Sequence, residues 1–309
     1  MPLDPQARVI IDLIESLGFG SLGANTDPVA MRELMNAAAI PSSTEVARVE
    51  DREIPGPDRF LRIRVYRPAG DQPKPVIVYY HGGGWVLGSL ESHDGVCRDL
   101  AVDVDAIVVA VDYRLAPEDR FPAAVDDAYA AARWVHANAR ALGGDPDRIA
   151  VAGDSAGGNL AAIVAQQARG TDLAVRFQLL VYPVTDYEFL SVSMEENAVG
   201  YYLTRDSMRW FYDQYLTRPA EGEDPRVSPL RAKDLSGLPP AFVVTAQYDP
   251  LRDQGCSYAD ALRACGNQVE SVIYDGMFHG FFSMSEQIDA AKVAFGDAVA
   301  ALRAGLAVT

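Results

Sequence analysis

Lysine is scarce in this 309-residue chain: only Lys74, Lys233 and Lys292 occur, so arginine supplies nearly all the positive charge. With 43 acidic against 27 basic residues the net charge is −16. That balance argues against nucleic acid or an anionic membrane as partner, because either needs a basic face. Cysteine is equally rare. Cys97, Cys256 and Cys265 cannot all pair and show no metal-ligand spacing, so reduced thiols in a cytoplasmic protein are expected. Cys256 and Cys265 also fall at opposite ends of one expected helix, too far apart to bridge. The opening Met1-Pro-Leu-Asp-Pro lacks a basic stretch followed by an apolar core, and no signal peptide is expected. The longest C-terminal apolar pattern, from about Ser285 to Leu306, is interrupted by Asp289, Lys292, Asp297 and Arg303; it reads as an amphipathic helix, not a membrane span. No Gly-Lys pair occurs, which rules out a P-loop, and no His-Glu-x-x-His zinc pattern is present. Neither a metal nor an organic cofactor is expected. There is no internal repeat and no low-complexity segment.

What is present is concentrated in Ile149-Ala-Val-Ala-Gly153-Asp154-Ser155-Ala156-Gly157-Gly158-Asn159. An apolar, β-branched run leads into Gly-x-Ser-x-Gly, and an alanine-rich helical pattern follows over Leu160–Arg169. In that strand–turn–helix context a serine sits on a tight elbow with its hydroxyl projecting from the top of a sheet. Gly153 and Gly157 flank a turn where β-carbons would collide with the neighbouring strand and helix. The amide dipoles of the helix that follows point at negative charge forming beside the hydroxyl. Ser155 is therefore the candidate nucleophile.

The rest of the chain alternates strands and helices. Strand-like runs are Phe60–Arg67, Pro75–Tyr80, Ala106–Tyr113, Arg148–Gly153, Phe177–Tyr182, Ala241–Gln247 and Val269–Tyr274. Helical patterns lie near Glu91–Val102, Pro122–Ala141, Ala156–Arg169, Arg252–Cys265 and Ser285–Leu306. Near-continuous Val/Ile runs separated by helices predict a parallel sheet covered on both faces, a doubly wound α/β fold. Phe60–Arg67 alternates apolar and basic residues and is expected to be an antiparallel edge strand. Two excursions break the alternation. Residues 1–45 carry helical patterns at Pro5–Leu17 and Pro28–Ala39, joined by a glycine-rich turn. Residues 186–229 form an aromatic-rich insertion in which Thr204-Arg-Asp206 caps a helix running to Leu216. Together they predict a helical cap over a core made of residues 46–185 and 230–309, above the sheet edge where open α/β sheets place ligands. Candidate pocket residues are Trp85, Phe282 and, from the insertion, Tyr201, Leu203 and Met208. Gly18-Phe-Gly20-Ser-Leu-Gly23 matches a dinucleotide fingerprint, but no βαβ unit surrounds it and it reads as a cap turn.

A serine nucleophile needs a base, a carboxylate to orient that base, and donors for the developing oxyanion. Of four histidines, only His279 follows Ser155, and it stands in a loop just beyond the last strand. Chain order Ser…Asp…His suits this architecture. Asp249 closes the preceding strand and is assigned to orient His279; Asp253, one helical turn further on, reads as a helix-start acid, and Asp275 is a local alternative. His81-Gly82-Gly83-Gly84-Trp85 follows the Pro75–Tyr80 strand. Gly83, Gly84 and Ala156 are the expected backbone donors of an oxyanion hole.

These motifs, with Asp112-Tyr-Arg-Leu-Ala-Pro-Glu118, Tyr182-Pro183, Asp249-Pro-Leu-Arg-Asp253 and His279-Gly-Phe281, run in order over most of the chain. The sequence resembles the bacterial hormone-sensitive-lipase-like (family IV) carboxylesterases of the α/β-hydrolase fold, in the subgroup with Asp154 in Gly-Asp-Ser-Ala-Gly. The resemblance implies hydrolysis of small carboxylic esters, of short to medium acyl chain, through an acyl-enzyme, and it supports Asp249 over Asp253. It is compatible with a homodimer joined through an exposed sheet edge. A hormone receptor on the same fold would be expected to lack a member of the triad, and all three are present here. An amidase or deacetylase would use the same residues.

Overall fold

The computed structural model describes residues 1–18, 22, 23, 25–38 and 41–307. Its strands are β1 (Arg48–Pro55), β2 (Phe60–Arg67), β3 (Lys74–Tyr80), β4 (Ile107–Asp112), β5 (Gly144–Asp154), β6 (Val175–Val181), β7 (Ala241–Tyr248) and β8 (Val269–Phe278). They form one sheet in the order β1-β2-β4-β3-β5-β6-β7-β8. From β4 to β8 every neighbouring pair is parallel, while β2 runs antiparallel to both β1 and β4. The helices are α1 (Pro5–Ser16), α2 (Pro28–Ala38), α3 (Asp94–Val104), α4 (Ala123–Asn138), α5 (Ala156–Ala168), α6 (Val192–Glu196), α7 (Arg205–Tyr215), α8 (Arg252–Ala264) and α9 (Asp289–Gly305). This is the α/β-hydrolase arrangement that the alternation and the motifs predict.

Side-chain alternation along the central strands builds two cores. Val76, Val78 and Tyr80 of β3 join the cluster containing α4, α5 and α8, while Ile77 and Tyr79 face the cluster containing α3 and α9. Helix α5 is buried almost end to end, which explains its alanine and glycine content: larger side chains would hold it off the sheet. The β6–β7 pairing is short, joining Gln178–Val181 to Ala241–Val244.

Two elements depart from the sequence reading. Phe60–Arg67 is not the sheet edge, because β1 pairs with it along its whole length. Strand β1 reads Arg-Val-Glu-Asp-Arg-Glu-Ile-Pro and buries only Ile54, so it carries almost no apolar pattern. Cross-strand charge pairing shapes this corner, with Arg64 bonded to Asp51 at 2.6 Å and 3.0 Å. The short helix α6 is likewise too small to leave a periodic signal.

The two excursions are tied to the body by specific bonds. Helix α1 starts at Asp4, whose carboxylate accepts from the Gln6 and Ala7 amides and whose own amide donates to Gly276 at 3.1 Å. Helix α2 is held by Arg32, which donates to the carbonyls of Val86 (2.6 Å) and Ala116 (2.5 Å) and pairs with Glu118 at 2.8 Å. Thr204 caps α7 by accepting from the Ser207 amide at 2.9 Å. Residues 19–21 of the glycine motif, and Ala39 at the end of the second helical pattern, lie outside the described residues. Among the described residues, no helix is long and apolar enough to cross a membrane, and Cys97, Cys256 and Cys265 are unpaired.

Candidate active site

Ser155 stands between β5 and α5 with φ 55° and ψ −118°, a backbone conformation that L-residues rarely adopt. Its surroundings leave no room for relaxation. A β-carbon at Gly157 would overlap the Tyr80 carbonyl of β3, and one at Gly153 would overlap the Gly157 backbone. The Ser155 amide donates to Val181 at 2.8 Å, fixing the elbow to β6 as well.

The loops after β7 and β8 bring two further side chains to this point. His279 Nε2 lies 2.9 Å from Ser155 Oγ, and His279 Nδ1 lies 2.7 Å from Asp249 Oδ2. Asp249 is fully buried and His279 is 6% exposed, so both contacts are shielded from competing water. Asp249 Oδ1 accepts from the Leu251 amide at 2.8 Å, and Asn197 donates to the Asp249 carbonyl at 3.2 Å. The Tyr182 ring packs 4.5 Å from the imidazole and limits its rotation. The other two acids are elsewhere: Asp253 accepts from the Ser193 amide at 2.7 Å, and Asp275 is exposed.

The loop after β3 brings Gly82, Gly83 and Gly84 to the cavity that Ser155 and His279 also line. Gly83 (φ 113°) and Gly84 (φ 60°) occupy conformations open to glycine, and their amides have no acceptor among the described residues. The Ala156 amide opens α5 and so has no intrahelical acceptor. Beneath the loop, His81 stacks on Tyr113 at 4.3 Å. Burial, reinforced by the nearby His93, pushes the His81 imidazole down to about 3, and its Nε2 has no hydrogen-bond partner among the described residues.

A cavity of about 220 Å³ opens above Ser155 and His279. Leu203 and Met208 line it, as the sequence suggested. Trp85, Tyr201 and Phe282 do not, and the pocket reading is corrected for these three. Trp85 is fully buried and stacks on Tyr215 at 4.2 Å; Phe282 packs into the core against Phe295; Tyr201 leans on Tyr248 at 4.7 Å, leaving Tyr202 to face the cavity. The sequence reading missed Met31 and Met35 of α2, Met284 after β8, and the polar pair His93 and Asp154. Methionines on an amphipathic helix look like ordinary core formers, so nothing in the pattern singles them out. No group of three or more His, Cys, Asp or Glu side chains among the described residues could hold a metal ion.

A serine on a strand–helix elbow, bonded to a histidine that is bonded to a buried aspartate, at the C-terminal edge of a largely parallel sheet, marks an α/β hydrolase. Residues 77–283 match the family model described as alpha/beta hydrolase fold. The chain belongs to this family, in its hormone-sensitive-lipase-like branch. It is 43% identical to the carboxylic ester hydrolase LipN of Mycobacterium tuberculosis, covering 98% of this chain and 83% of that one. It is 46% identical to an ethyl acetate hydrolase of Pseudomonas putida over 75% of this chain and 74% of that protein. Among solved structures, a hyperthermophilic esterase from the archaeon Pyrobaculum calidifontis superposes with a TM-score of 0.93 at 44% identity, covering 98% of this chain and 99% of that one.

Proposed function

We propose that the protein is a carboxylesterase in which Ser155, His279 and Asp249 form the catalytic triad. The observation that carries this reading is the unbroken pair of contacts, 2.9 Å from Ser155 Oγ to His279 Nε2 and 2.7 Å from His279 Nδ1 to Asp249. The Ser155 hydroxyl attacks the ester carbonyl while Nε2 accepts its proton, and Asp249 holds the resulting imidazolium. The carbonyl oxygen becomes an oxyanion, received by the amides of Gly83, Gly84 and Ala156, each donor contributing about 3 kcal/mol. His279 returns the proton to the leaving alcohol and the acyl-enzyme forms; water then repeats the sequence and releases the acid. No step requires a metal or a cofactor.

The small, largely apolar cavity favours esters of short to medium acyl chain. Residues 1–45 and 186–229 act as its cap, a reading supported by the cavity contacts of Met31, Met35, Leu203 and Met208. Assignment to the Gly-Asp-Ser-Ala-Gly subgroup rests on Gly153–Gly157. A cytoplasmic location is supported by the three unpaired thiols, and a homodimer through a sheet edge by β8, which has a strand neighbour on one side. Hydrolysis of p-nitrophenyl esters from acetate to palmitate, with Ser155→Ala as control, tests the activity. Turnover greatest on short chains and lost by several orders of magnitude in the variant is expected; a folded wild-type protein inactive at every chain length would overturn the proposal.

A further inference from the structure

Immediately before the nucleophile, Asp154 gathers contacts that the proton-transfer chain does not use. Its side chain is 13% exposed. Tyr79 of β3 donates its hydroxyl to Oδ1 at 2.7 Å, and the Gly82 amide donates to the same oxygen at 3.1 Å. His93 Nε2 lies 3.2 Å from Oδ1 and 3.3 Å from Oδ2. Around that imidazole stand the Ser92 hydroxyl, 2.9 Å from Nδ1, and the rings of His81 and Tyr79 at 5.5 Å and 6.3 Å. Burial alone would raise the Asp154 carboxyl, but His93 and the Tyr79 hydroxyl together hold it below its ordinary value.

An ionised carboxylate can only accept, so the proton shared with His93 is assigned to Nε2. Nε2 then cannot also accept from the Gly82 amide, although the two nitrogens are 3.2 Å apart, and that amide belongs to Asp154. Gly82 itself fits the arrangement, because a β-carbon there would run into the Asp154 carboxylate.

We infer that Asp154, backed by His93 and Tyr79, is a positioning residue for the oxyanion hole. Gly82 directly precedes Gly83 and Gly84, and Asp154 directly precedes Ser155 and Ala156. One carboxylate therefore ties the loop after β3 to the elbow after β5, and sets the spacing between donors carried by different strands. The inference rests on the reading of Ser155 as nucleophile and of Gly83, Gly84 and Ala156 as donors.

The role is tested with Asp154→Asn, His93→Phe and His93→Gln beside wild type and Ser155→Ala. The readouts are kcat and KM on p-nitrophenyl butyrate, and inhibition by a trifluoromethyl ketone, which adds to a catalytic serine as a hemiketal oxyanion. Asp154→Asn and His93→Phe are expected to lower kcat by about 30-fold or more with KM within about threefold, and to weaken the ketone by a matching factor. His93→Gln keeps an N–H donor toward Asp154 and should stay within about fivefold of wild type. Unchanged kcat and ketone affinity in Asp154→Asn, or equal losses in His93→Gln and His93→Phe, would overturn the inference. Should Asp154→Asn fail to fold, Tyr79→Phe removes a single donor and should lower kcat and ketone affinity together; no change there overturns it too. Turnover surviving in Ser155→Ala would sink the reading of the site itself. An inactive Ser155→Ala beside a wild-type-like Asp154→Asn would remove only the positioning role.

Discussion

Gly84→Ala is the substitution that most directly couples the cap to the chemistry. Gly84 has φ 60°, and holding alanine in that left-handed conformation costs about 1–2 kcal/mol. The new methyl group would also overlap the ring of Phe211. Phe211 belongs to α7, is 6% exposed, packs edge-on to Trp210 at 5.1 Å and lines the cavity. Restoring ordinary carbon contact needs a relative shift of loop and ring of about 1 Å or more. A displacement of that size takes the Gly84 amide out of hydrogen-bonding range of an oxyanion. Losing one donor is worth about 3 kcal/mol, or roughly a hundredfold in kcat. Phe211→Ala in the same chain removes the overlap but not the backbone strain, and should recover about tenfold of the loss. Steady-state kinetics on p-nitrophenyl butyrate for the two single variants and the double variant, with thermal midpoints to verify folding, provide the check. A Gly84→Ala enzyme within threefold of wild type, or a folded double variant no faster than Gly84→Ala, would refute the reasoning.

Asp249→Asn keeps an oxygen for the Leu251 amide but presents an N–H to His279 Nδ1 or loses its bond there, so the imidazole is held in the wrong tautomer. Rapid-quench or steady-state assays should show kcat down by about 10⁴-fold, the scale known for the same change in a chymotrypsin-type triad, with folding retained. Arg32→Ala removes the bonds from α2 to Val86 and Ala116, while its pair with half-exposed Glu118 counts for little; KM should rise about three- to tenfold with kcat within about twofold, read from substrate saturation curves. His81 is held neutral, its folded pKa near 3 lying below the unfolded value of 6.5. Stability is therefore full above pH 6.5 and falls, by one proton's worth of slope, as pH drops toward 3. Denaturant titrations of wild type and His81→Gln across that window should differ by that slope, and parallel curves would dismiss the assignment.

Legibility in the sequence followed burial and motif density. Strands β3 to β7 are buried over most of their length and announce themselves as apolar runs, whereas β1 is charged, sits at the sheet edge and gains its place by pairing with β2. Ser155, Asp249 and His279 could be named because each ends a strand or starts a helix in a recognisable order, and they lie together in the fold. The cavity wall was half legible. Leu203 and Met208 face it while the neighbouring Tyr201 does not, since a backbone turn with Tyr202 at φ 70° decides which side chain points inward, and no periodicity encodes that turn. Trp85 was drawn to the wrong place by adjacency: it follows the three glycines in sequence but turns back into the core against Tyr215. The Asp154–His93 contact joins residues 61 positions apart, and a spacing of that length has no local signature.

The β6–β7 pairing runs between the two halves of the proposed triad and its oxyanion amides. Ser155 and the glycine loop stand on β5 and β3, locked together by the contact of α5 with Tyr80, while Asp249 and His279 stand on β7 and β8. Heat or denaturant that loosens the sheet at this joint would separate base from nucleophile before disturbing the oxyanion amides. Such a half-opened molecule would still bind a carbonyl oxygen where it always did, yet have no group to take the serine proton. Inactivation would then precede the collapse of the fold.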